Sequence, residues 1–530
     1  MGNSLVVLGI AVCALLLLGN VFGRRRLPLP PGPKGRFPGL GMTFDAPKKY
    51  PWVKYAEWAS IYGPIIHFRI GLQHIIVIGS GHVAREFLDR RSQIYSSRPP
   101  SLVGQILTGG KRAVLMPYGP RWRAVRKSFA NMLTAKKCDE YANMQTKEAI
   151  TSCYDVTRTP ERYRDHLARY SLSIARSIAF GRRVPTPDDE FSHEVRTFME
   201  QFSKAMASGR YIIEYMPFLN RLPRFLKPWQ AELEGMRQKE FEFATNNLKT
   251  ALMDVEEHPD RPCIALDLKK NMEKANIDEY NDELQLAITC LEILGTGSET
   301  TATSLMTTVH ALAMNPGVVA KAHEELDRVI GRKRFPTWTD EPELPYLRAI
   351  IKEQHRWASI APLALAFAHW SEEEDVVEGY RIPKNSIVRI NTWAIHHDPN
   401  RYEEPERFKP ERFLGYHCSA SAYANKGDVD GRDHFSYGSG KRICVGLHLA
   451  ERSLFSMTSA LLQCFDIRPA LGPDGKEVSL ENVPYSSNLI SFPDDFPVRF
   501  VVRNDEIKKM LDQEWNNLYG NGPVTSWTES

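Results

Sequence analysis

The chain is predicted to be mainly α-helical with a minority of β-structure, forming a single large domain behind an N-terminal transmembrane helix. Residues 120–320 form long amphipathic runs with few internal prolines, a pattern typical of helices. The longest apolar run covers residues 283–314 and predicts a central helix. Residues 65–79 are instead rich in β-branched side chains around Gly71, which predicts a β-hairpin that turns at this glycine.

The N-terminus has the pattern of a membrane anchor. Residues 4–22 are almost uninterruptedly apolar, and about 20 such residues are needed for a helix to cross a bilayer. Arg24, Arg25 and Arg26 follow directly, whereas no charged side chain precedes the run. A cleaved signal peptide would carry its positive charge before the apolar run. The observed order favours an uncleaved anchor over residues 1–23, and the positive-inside rule predicts a cytosolic location for everything after it.

The rest of the chain divides into a hinge, one body and a tail. Residues 24–45 are basic and proline-rich, and consecutive prolines make a stiff connector. Residues 46–503 contain no linker or fixed-period repeat that would divide them, which predicts a single domain. A second hairpin is predicted at residues 381–390, with its turn at 383–386. Residues 504–530 are predicted to form a polar tail that is at best partly helical.

Composition argues against several classes of function. The 530 residues carry a net charge of +4, which is too mild to suggest a nucleic-acid-binding protein. The eight cysteines include no C-x-x-C pair, so a structural zinc site is not expected. Their scattered positions differ from a disulfide framework and agree with a reducing compartment.

One cysteine stands out by its surroundings. Cys444 follows a glycine-rich stretch with Gly438 and Gly440 and precedes an apolar helical pattern. Glycines permit a tight turn whose N–H groups can point at the sulfur, and the start of a helix adds positive potential that favours a thiolate. Such a thiolate suits binding to haem iron, with Arg442 able to reach a propionate and Gly446 leaving room for the porphyrin. The alternative is a buried cysteine that only packs.

The predicted central helix contains an unusual polar segment at residues 294–301. It includes two glycines, each of which costs about 1 kcal/mol in a helix relative to alanine. Glu299 and Thr300 lie in the same turn, where a purely structural helix needs neither a carboxylate nor a hydroxyl. We therefore expect a local distortion that frees a backbone carbonyl at a functional site. The alternative is a group of polar residues that face solvent.

Further patterns place charged or aromatic side chains in pairs. Glu353 and Arg356 lie three residues apart and share a helical face, and Arg412 follows in a Pro-Glu-Arg-Phe stretch. Trp122 and Arg126 also share a helical face, and the cation suits a carboxylate partner. Taken alone, each pattern is compatible with an ordinary surface helix.

Together and in chain order, these motifs resemble those of the cytochrome P450 haem-thiolate monooxygenases, and the resemblance extends from the anchor to residue 503. The anchor, the three arginines and the proline-rich hinge are similar to those of the microsomal members. The resemblance implies haem b, with Cys444 as the thiolate ligand of the iron. It also implies haem propionate contacts for Arg442, Trp122, Arg126 and His369, proton handling by Glu299 and Thr300, and a structural network of Glu353, Arg356 and Arg412.

Three places depart from the family pattern. Tyr437 lies seven residues before the cysteine, where the family usually has Phe. Thr296 precedes Gly297 where Ala or Gly is usual, and it adds a hydroxyl near the expected oxygen pocket. Residues 362–369 form a longer stretch than usual, apolar up to His369, and a lone histidine there is compatible with a purely structural role.

The resemblance implies insertion of one oxygen atom from dioxygen into a small organic substrate, with electrons from an NADPH-dependent flavoprotein reductase. The expected location is the endoplasmic reticulum membrane, in contact with lipid, with a single span and a cytosolic catalytic domain. Residues 422–425 and 431–434 resemble fungal enzymes that hydroxylate small phenolic acids, cresols or polyketide intermediates of secondary metabolism. A terpene, steroid or alkaloid is an alternative substrate. A haem-thiolate isomerase or dehydratase and a non-catalytic haem sensor are alternative functions, and Glu299 and Thr300 argue against both.

Overall fold

A computed structural model of the chain describes residues 27–520 and 524, apart from residues 38, 208, 215, 258–262, 276–281, 364–367, 425 and 427. The predicted anchor over residues 1–23 and the three arginines after it lie outside the described residues. Among the residues described, no helix combines the length and the apolar character needed to cross a bilayer.

Helices make up most of the described chain, as predicted. The α-helices are Pro51–Tyr62, Gly81–Arg85, Ser92–Tyr95, Leu102–Thr108, Pro120–Met132, Ala135–Glu140, Ala142–Arg158, Tyr163–Phe180, Glu190–Met206, Pro228–Glu257, Ile264–Ala275, Glu283–Met314, Pro316–Val329, Pro345–Trp357, Thr392–His396, Ala420–Ala424, Leu447–Cys464 and Asp505–Tyr519. Short 3-10 segments lie at Pro160–Arg162, Ile212–Glu214, Pro217–Arg221, Arg224–Leu226, Trp338–Glu343, Pro410–Phe413 and Gly440–Arg442, and a π turn at Glu86–Arg90.

The central helix is Glu283–Met314, the segment that the sequence predicts. At its start, the side chain of Asp282 accepts a hydrogen bond from the N–H of Leu284, which caps the helix. Most of its side chains are buried, and it packs extensively against the helix Tyr163–Phe180. A helix that is apolar on most sides is stable only when protein surrounds it. Within its polar segment at residues 294–301, Ser298 and Thr301 are buried, whereas Thr296 is exposed and Glu299 and Thr300 are partly exposed.

The predicted first hairpin is confirmed. Strands β1 (Ile65–Ile70) and β2 (Gln73–Ile78) pair antiparallel, and Gly71 in their turn has a φ of +57°. Strand β6 (Ile387–Ile390) adds parallel to β2, and strand β3 (His369–Trp370) pairs antiparallel with β6. The resulting order is β1-β2-β6-β3, so this sheet joins segments that are about 300 residues apart in the chain.

The predicted second hairpin is wrong. Strand β5 (Tyr380–Ile382) pairs with the preceding strand β4 (Asp375–Val377), whereas β6 belongs to the larger sheet. The turn of this hairpin lies at Glu378 and Gly379, which have φ values of +49° and +78°. Residues with positive φ suit a tight hairpin turn. Residues 383–386 instead carry the chain from one sheet to the other.

The C-terminal part of the described chain is more ordered than expected. Strands β7 (Phe465–Pro469) and β8 (Val498–Val502) pair antiparallel, as the predicted strand material suggested. The expected tail forms a regular helix, Asp505–Tyr519, that packs against the helix Ala142–Arg158. Its buried side chains Ile507, Met510 and Leu511 have i, i+3, i+4 spacing, which the polar composition of this segment concealed.

Candidate functional site

The loop before Cys444 is shaped by a close approach to another segment. Gly440 has a φ of +66°, and a Cβ built there would lie 2.0 Å from the carbonyl oxygen of Leu88. Only glycine fits, because any side chain would collide with that backbone. The N–H of Cys444 donates to the carbonyl oxygen of Tyr437 at 2.8 Å and closes the loop. A Cβ at Gly446 would meet no heavy atom within 4 Å, so the backbone beside the cysteine borders open space.

Cys444 is exposed as a residue, although the surrounding protein partly desolvates its thiol. Burial raises the pKa of the thiol, whereas the N–H of Gly446 and the positive charge of Arg126 lower it. The N–H of Gly438 donates to the carbonyl oxygen of Phe435 at 2.9 Å rather than to the sulfur. The backbone N–H that reaches the sulfur is therefore that of Gly446. A bound iron ion would favour the thiolate further, because metal coordination deprotonates a thiol.

Three arginine side chains converge beside the loop. Arg442 donates to three backbone carbonyl oxygens at 2.6–3.2 Å. Burial, followed by the charges of Arg98 and Arg126, lowers the pKa of Arg442 to about 8. Burial also lowers the pKa of Arg98 to about 10. Buried cations that repel one another are stabilised by an anionic group placed among them, so a ligand with carboxylates, such as haem, fits this cluster.

Trp122 and Arg126 belong to the same cluster, on the helix Pro120–Met132. Arg126 donates to the carbonyl oxygen of Ile443, the residue directly before the cysteine. The guanidinium of Arg442 lies 4.2 Å from the centre of the Trp122 ring, a cation–π contact. The structure therefore brings both members of this predicted pair to the cysteine loop.

His369 is buried beside the arginines in strand β3. Its Nδ1 lies 2.7 Å from the carbonyl oxygen of Tyr95, which places the proton on this nitrogen. Burial and then the charge of Arg98 lower the pKa of His369 to about 3, with a smaller contribution from Arg442. In the protein alone, His369 is therefore a neutral member of the cluster.

The polar segment of the central helix, where a local distortion is expected, remains part of one helix. The helix is continuous, and the hydroxyl of Thr296 donates to the carbonyl oxygen of Glu292 at 2.6 Å. The hydroxyl of Thr300 donates in turn to the carbonyl oxygen of Thr296 at 2.7 Å. Such bonds to the i−4 carbonyl satisfy hydroxyls inside an apolar helix without interrupting it. Glu299 is partly buried, and this burial raises the pKa of its carboxyl group.

Glu353, Arg356 and Arg412 form one buried network. Arg356 donates to both carboxylate oxygens of Glu353, at 2.7 and 2.8 Å, and Arg412 donates to the same carboxylate at 3.2 Å. The remaining donors of Arg356 bind three backbone carbonyl oxygens at 2.8–3.0 Å. Each buried charge therefore has partners of suitable sign and geometry, which is what such a group requires.

Sequence reasoning missed two residues of this region. Glu292 is a carboxylate in an otherwise apolar stretch of the central helix, and it accepts hydrogen bonds from the loop at residues 113–114. Its isolation among apolar residues was a usable signal, because a buried carboxylate must be satisfied. Arg98 donates to the carbonyl oxygen of Ala368 at 3.1 Å, a contact between residues 270 positions apart that no local pattern indicates.

The departure at Tyr437 also has a structural partner. Its hydroxyl lies 3.1 Å from Nε2 of His355, on the helix that carries Glu353 and Arg356. The hydroxyl is therefore satisfied behind the cysteine loop.

The loop brings Cys444 together with Arg126 and Arg442, and a thiolate beside cations that can hold carboxylates suits the binding of haem iron. The family model described as Cytochrome P450 matches residues 30–483 of this chain, which therefore belongs to the cytochrome P450 family. The protein is accordingly an oxidoreductase, a monooxygenase whose haem iron is bound by a cysteine thiolate.

Curated relatives match over nearly the whole length. Cytochrome P450 monooxygenase 231 of Postia placenta is 33% identical, over 97% of each chain. Cytochrome P450 monooxygenase atE of Aspergillus terreus is 34% identical, over 97% of this chain and 95% of the relative. Among solved structures, a zebrafish cytochrome P450 with progesterone covers 86% of this chain and all of its own, at a TM-score of 0.71 and 23% identity. This last likeness concerns the fold alone.

Proposed function

We propose that Cys444 binds haem b and that the enzyme hydroxylates a small aromatic substrate or a polyketide intermediate of fungal secondary metabolism. The observation that carries the haem assignment is the group of arginines beside this cysteine. Burial and the charges of Arg98 and Arg126 lower the pKa of Arg442 in this group to about 8. When bound, the haem activates dioxygen, so that one oxygen atom enters the substrate and the other leaves as water. Arg126, Arg442, Trp122 and His369 would hold and orient its propionate side.

Thr300 and Glu299 are the proposed proton-handling groups. The Thr300 hydroxyl is held in place by its bond to the Thr296 carbonyl oxygen. Burial raises the pKa of Glu299, which keeps its proton available at higher pH than for an exposed carboxyl group. A hydroxyl and a carboxyl group in the same helical turn, both partly exposed, suit the transfer of protons at this place.

An apolar cluster next to the cysteine loop supports an aromatic or polyketide substrate. Ser359 contacts the hydroxyl of Ser436 in that loop at 3.3 Å. The residues that follow it, Ile360 and Ala361, pack with Ile490 in a buried apolar group. The neighbouring residues 364–367 lie outside the described part of the chain.

Surface features support a location on the endoplasmic reticulum membrane and a flavoprotein reductase as electron donor. Phe218 and Phe225 are 63% and 84% exposed, on a segment that also contains Arg221 and Arg224. Aromatic and basic side chains together suit the surface of a membrane. The helix that carries Arg126 also exposes Arg123 and Lys127, which suit an acidic redox partner near the cysteine loop.

The decisive measurement is the reduced-carbonyl difference spectrum of the full chain expressed in membranes. A thiolate-bound haem gives a band at about 450 nm, and Cys444→Ser should abolish it. A wild-type band at about 420 nm in folded protein would contradict the assignment, as would a 450-nm band retained in the variant.

Turnover tests the activity and the substrate class. The enzyme, with NADPH and a reductase, should consume oxygen and hydroxylate small phenols. Product formed without oxygen consumption would instead indicate an isomerase or dehydratase, and no product from any tested compound would favour a haem sensor.

Membrane attachment is tested by cell fractionation. Removal of residues 1–23 should shift a large share of the protein from the membrane to the soluble fraction. Unchanged fractionation would contradict the proposed anchor.

A further inference from the structure

Glu292 ties the central helix to a loop segment that also contacts the arginine cluster. Its carboxylate oxygens accept the N–H of Ala113 at 2.9 Å and the N–H of Val114 at 2.8 Å. Glu292 is only 5% exposed, and a buried carboxylate without partners is strongly unfavourable. Both hydrogen bonds are therefore needed to keep this side chain in place.

The carbonyl groups of the same segment bind the cations. Arg442 donates to the carbonyl oxygens of Ala113 at 3.2 Å and Met116 at 2.6 Å, and Arg98 donates to that of Val114 at 3.1 Å. The segment thus presents N–H groups to a carboxylate and carbonyl groups to guanidinium groups. Because both ends of its peptide dipoles face an opposite charge, residues 113–116 are held from two sides.

The position of Glu292 relates this segment to the proposed reaction site. Glu292, Thr296 and Thr300 recur every four residues, so they lie along one side of the central helix. At about 1.5 Å per residue, Glu292 is about 12 Å along the axis from Thr300. Thr296, one turn from Glu292 on this side, is exposed and Thr300 is partly exposed, so this side of the helix borders open space. Residues 113–116 are held between Glu292 and Arg442 and therefore lie beside the start of this space.

We infer that Glu292 is a positioning residue that holds residues 113–116 as a wall of the substrate space. It acts through the loop and does not touch the cysteine or the reacting atoms. Its loss changes the fit of bulky ligands but leaves haem binding and small iron ligands nearly unchanged. The inference rests on the proposed haem site at Cys444.

The test compares two iron ligands of different size in the purified, haem-loaded full chain. Glu292→Gln keeps the volume but leaves a single acceptor oxygen, so one loop N–H faces an amide donor. We expect the Kd of 4-phenylimidazole, measured from the Soret shift, to change about tenfold, which corresponds to one lost buried hydrogen bond. The Kd of imidazole, which needs no space near the wall, should stay within about twofold, and the carbonyl band should remain at about 450 nm.

Gln285→Ala is the matched control. Gln285 lies on the same helix and donates to the carbonyl oxygen of Lys111 at 3.0 Å, so it contacts the same loop before residues 113–116. We expect both Kd values to stay at the wild-type level in this variant. The same selective change in Gln285→Ala would overturn the inference, because the loss of any contact to this loop would then alter the Kd of 4-phenylimidazole.

Two other results would also overturn it: no change in either Kd for Glu292→Gln, or an equal change in both. If Glu292→Gln does not fold, Glu292→Asp retains the charge on a shorter side chain and should give the same selective change. Absence of the 450-nm band in the wild-type protein would instead refute the proposed function, which keeps the two failures distinct.

Discussion

Two groups of buried arginines in this protein are stabilised in different ways. Arg356 has both carboxylate oxygens of Glu353 within 2.8 Å. Arg442 has backbone carbonyl oxygens as hydrogen-bond partners, and burial, Arg98 and Arg126 lower its pKa to about 8 against a smaller opposing effect of Glu292. The first group is neutralised by Glu353, whereas Arg442 makes no ion pair with a carboxylate among the described residues and is suited to an anionic ligand. Buried charge alone therefore does not distinguish a structural network from a binding site, but the sign of its neighbours does.

The largest expected effect is in the structural network. Glu353→Ala leaves Arg356 and Arg412 without their shared carboxylate, and breaking a buried ion pair costs about 3–5 kcal/mol. The free energy of unfolding, measured with urea, should fall by about this amount in both haem-free and haem-loaded protein. A loss below about 1 kcal/mol would remove the contrast between the two groups.

Glu451 is an intermediate case, a carboxyl group that lacks the pairing of Glu353. Its Oε1 accepts the N–H of Ala420 at 2.6 Å, while Oε2 has no hydrogen-bond partner among the described residues. Burial raises its pKa from 4.5 to about 7. Between these values the folded protein keeps a proton that the unfolded chain has released, so stability falls as pH rises through this window and levels off above it.

Glu451→Gln should remove this pH dependence. The variant should be more stable than the wild type at pH 8, by an amount on the order of 3 kcal/mol, and about equally stable near pH 4. Urea unfolding at the two pH values measures the difference. Parallel pH profiles of the two proteins would show that Glu451 does not titrate in this window.

The arginine cluster should respond more weakly in the haem-free protein. Arg442→Leu removes a charge that its neighbours repel, which offsets part of the cost of three lost hydrogen bonds to backbone carbonyl oxygens, so the haem-free protein should lose less stability than with Glu353→Ala. The haem-loaded protein should release haem about 10–100-fold more readily, since a hydrogen bond between charged groups contributes about 1.5–3 kcal/mol. Transfer of haem to an excess of apomyoglobin measures the release.

Arg123→Leu, an exposed position on the neighbouring helix, is the control for this variant. Its haem release should remain at the wild-type rate. Equal release from Arg442→Leu and wild type would mean that Arg442 does not hold the haem.

The smallest effect concerns the yield of product per NADPH rather than the binding of haem. Thr300→Ala should retain haem, while the product formed per NADPH falls about tenfold and peroxide appears, because a positioned proton donor is lost. Thr307→Ala removes a hydroxyl with the same i−4 contact further along the helix, to the Thr303 carbonyl oxygen at 2.9 Å, and should remain coupled. Full coupling in Thr300→Ala would exclude this residue from proton delivery.

Local patterns predicted the elements that depend on local physics. The apolar run of the central helix, the hairpin at Gly71 and the cysteine loop were found because periodicity, turn chemistry and motif spacing are properties of short segments. The pairing of β5 with β4 was missed because Pro383 and the polar residues up to 386 resemble a turn equally well. Arg98 was missed because its role depends on contacts between distant segments.

The hydrogen bonds of the polar segment were missed for a different reason. Two glycines and several hydroxyls predicted a local distortion of the central helix, but not that the Thr296 and Thr300 hydroxyls donate to carbonyl oxygens of the helix itself. Side-chain bonds of this kind depend on rotamers, which sequence periodicity does not encode.

The pairing of β2 with β6 has a consequence during translation of the chain on the ribosome. Ile75 pairs with Ile387, so the inner edge of the first hairpin has no partner until more than 300 further residues have been translated. At about 5–20 residues per second, that delay is about 15–60 s. During this time the nascent chain exposes the open edge of an apolar strand, the kind of surface that promotes aggregation and engages chaperones.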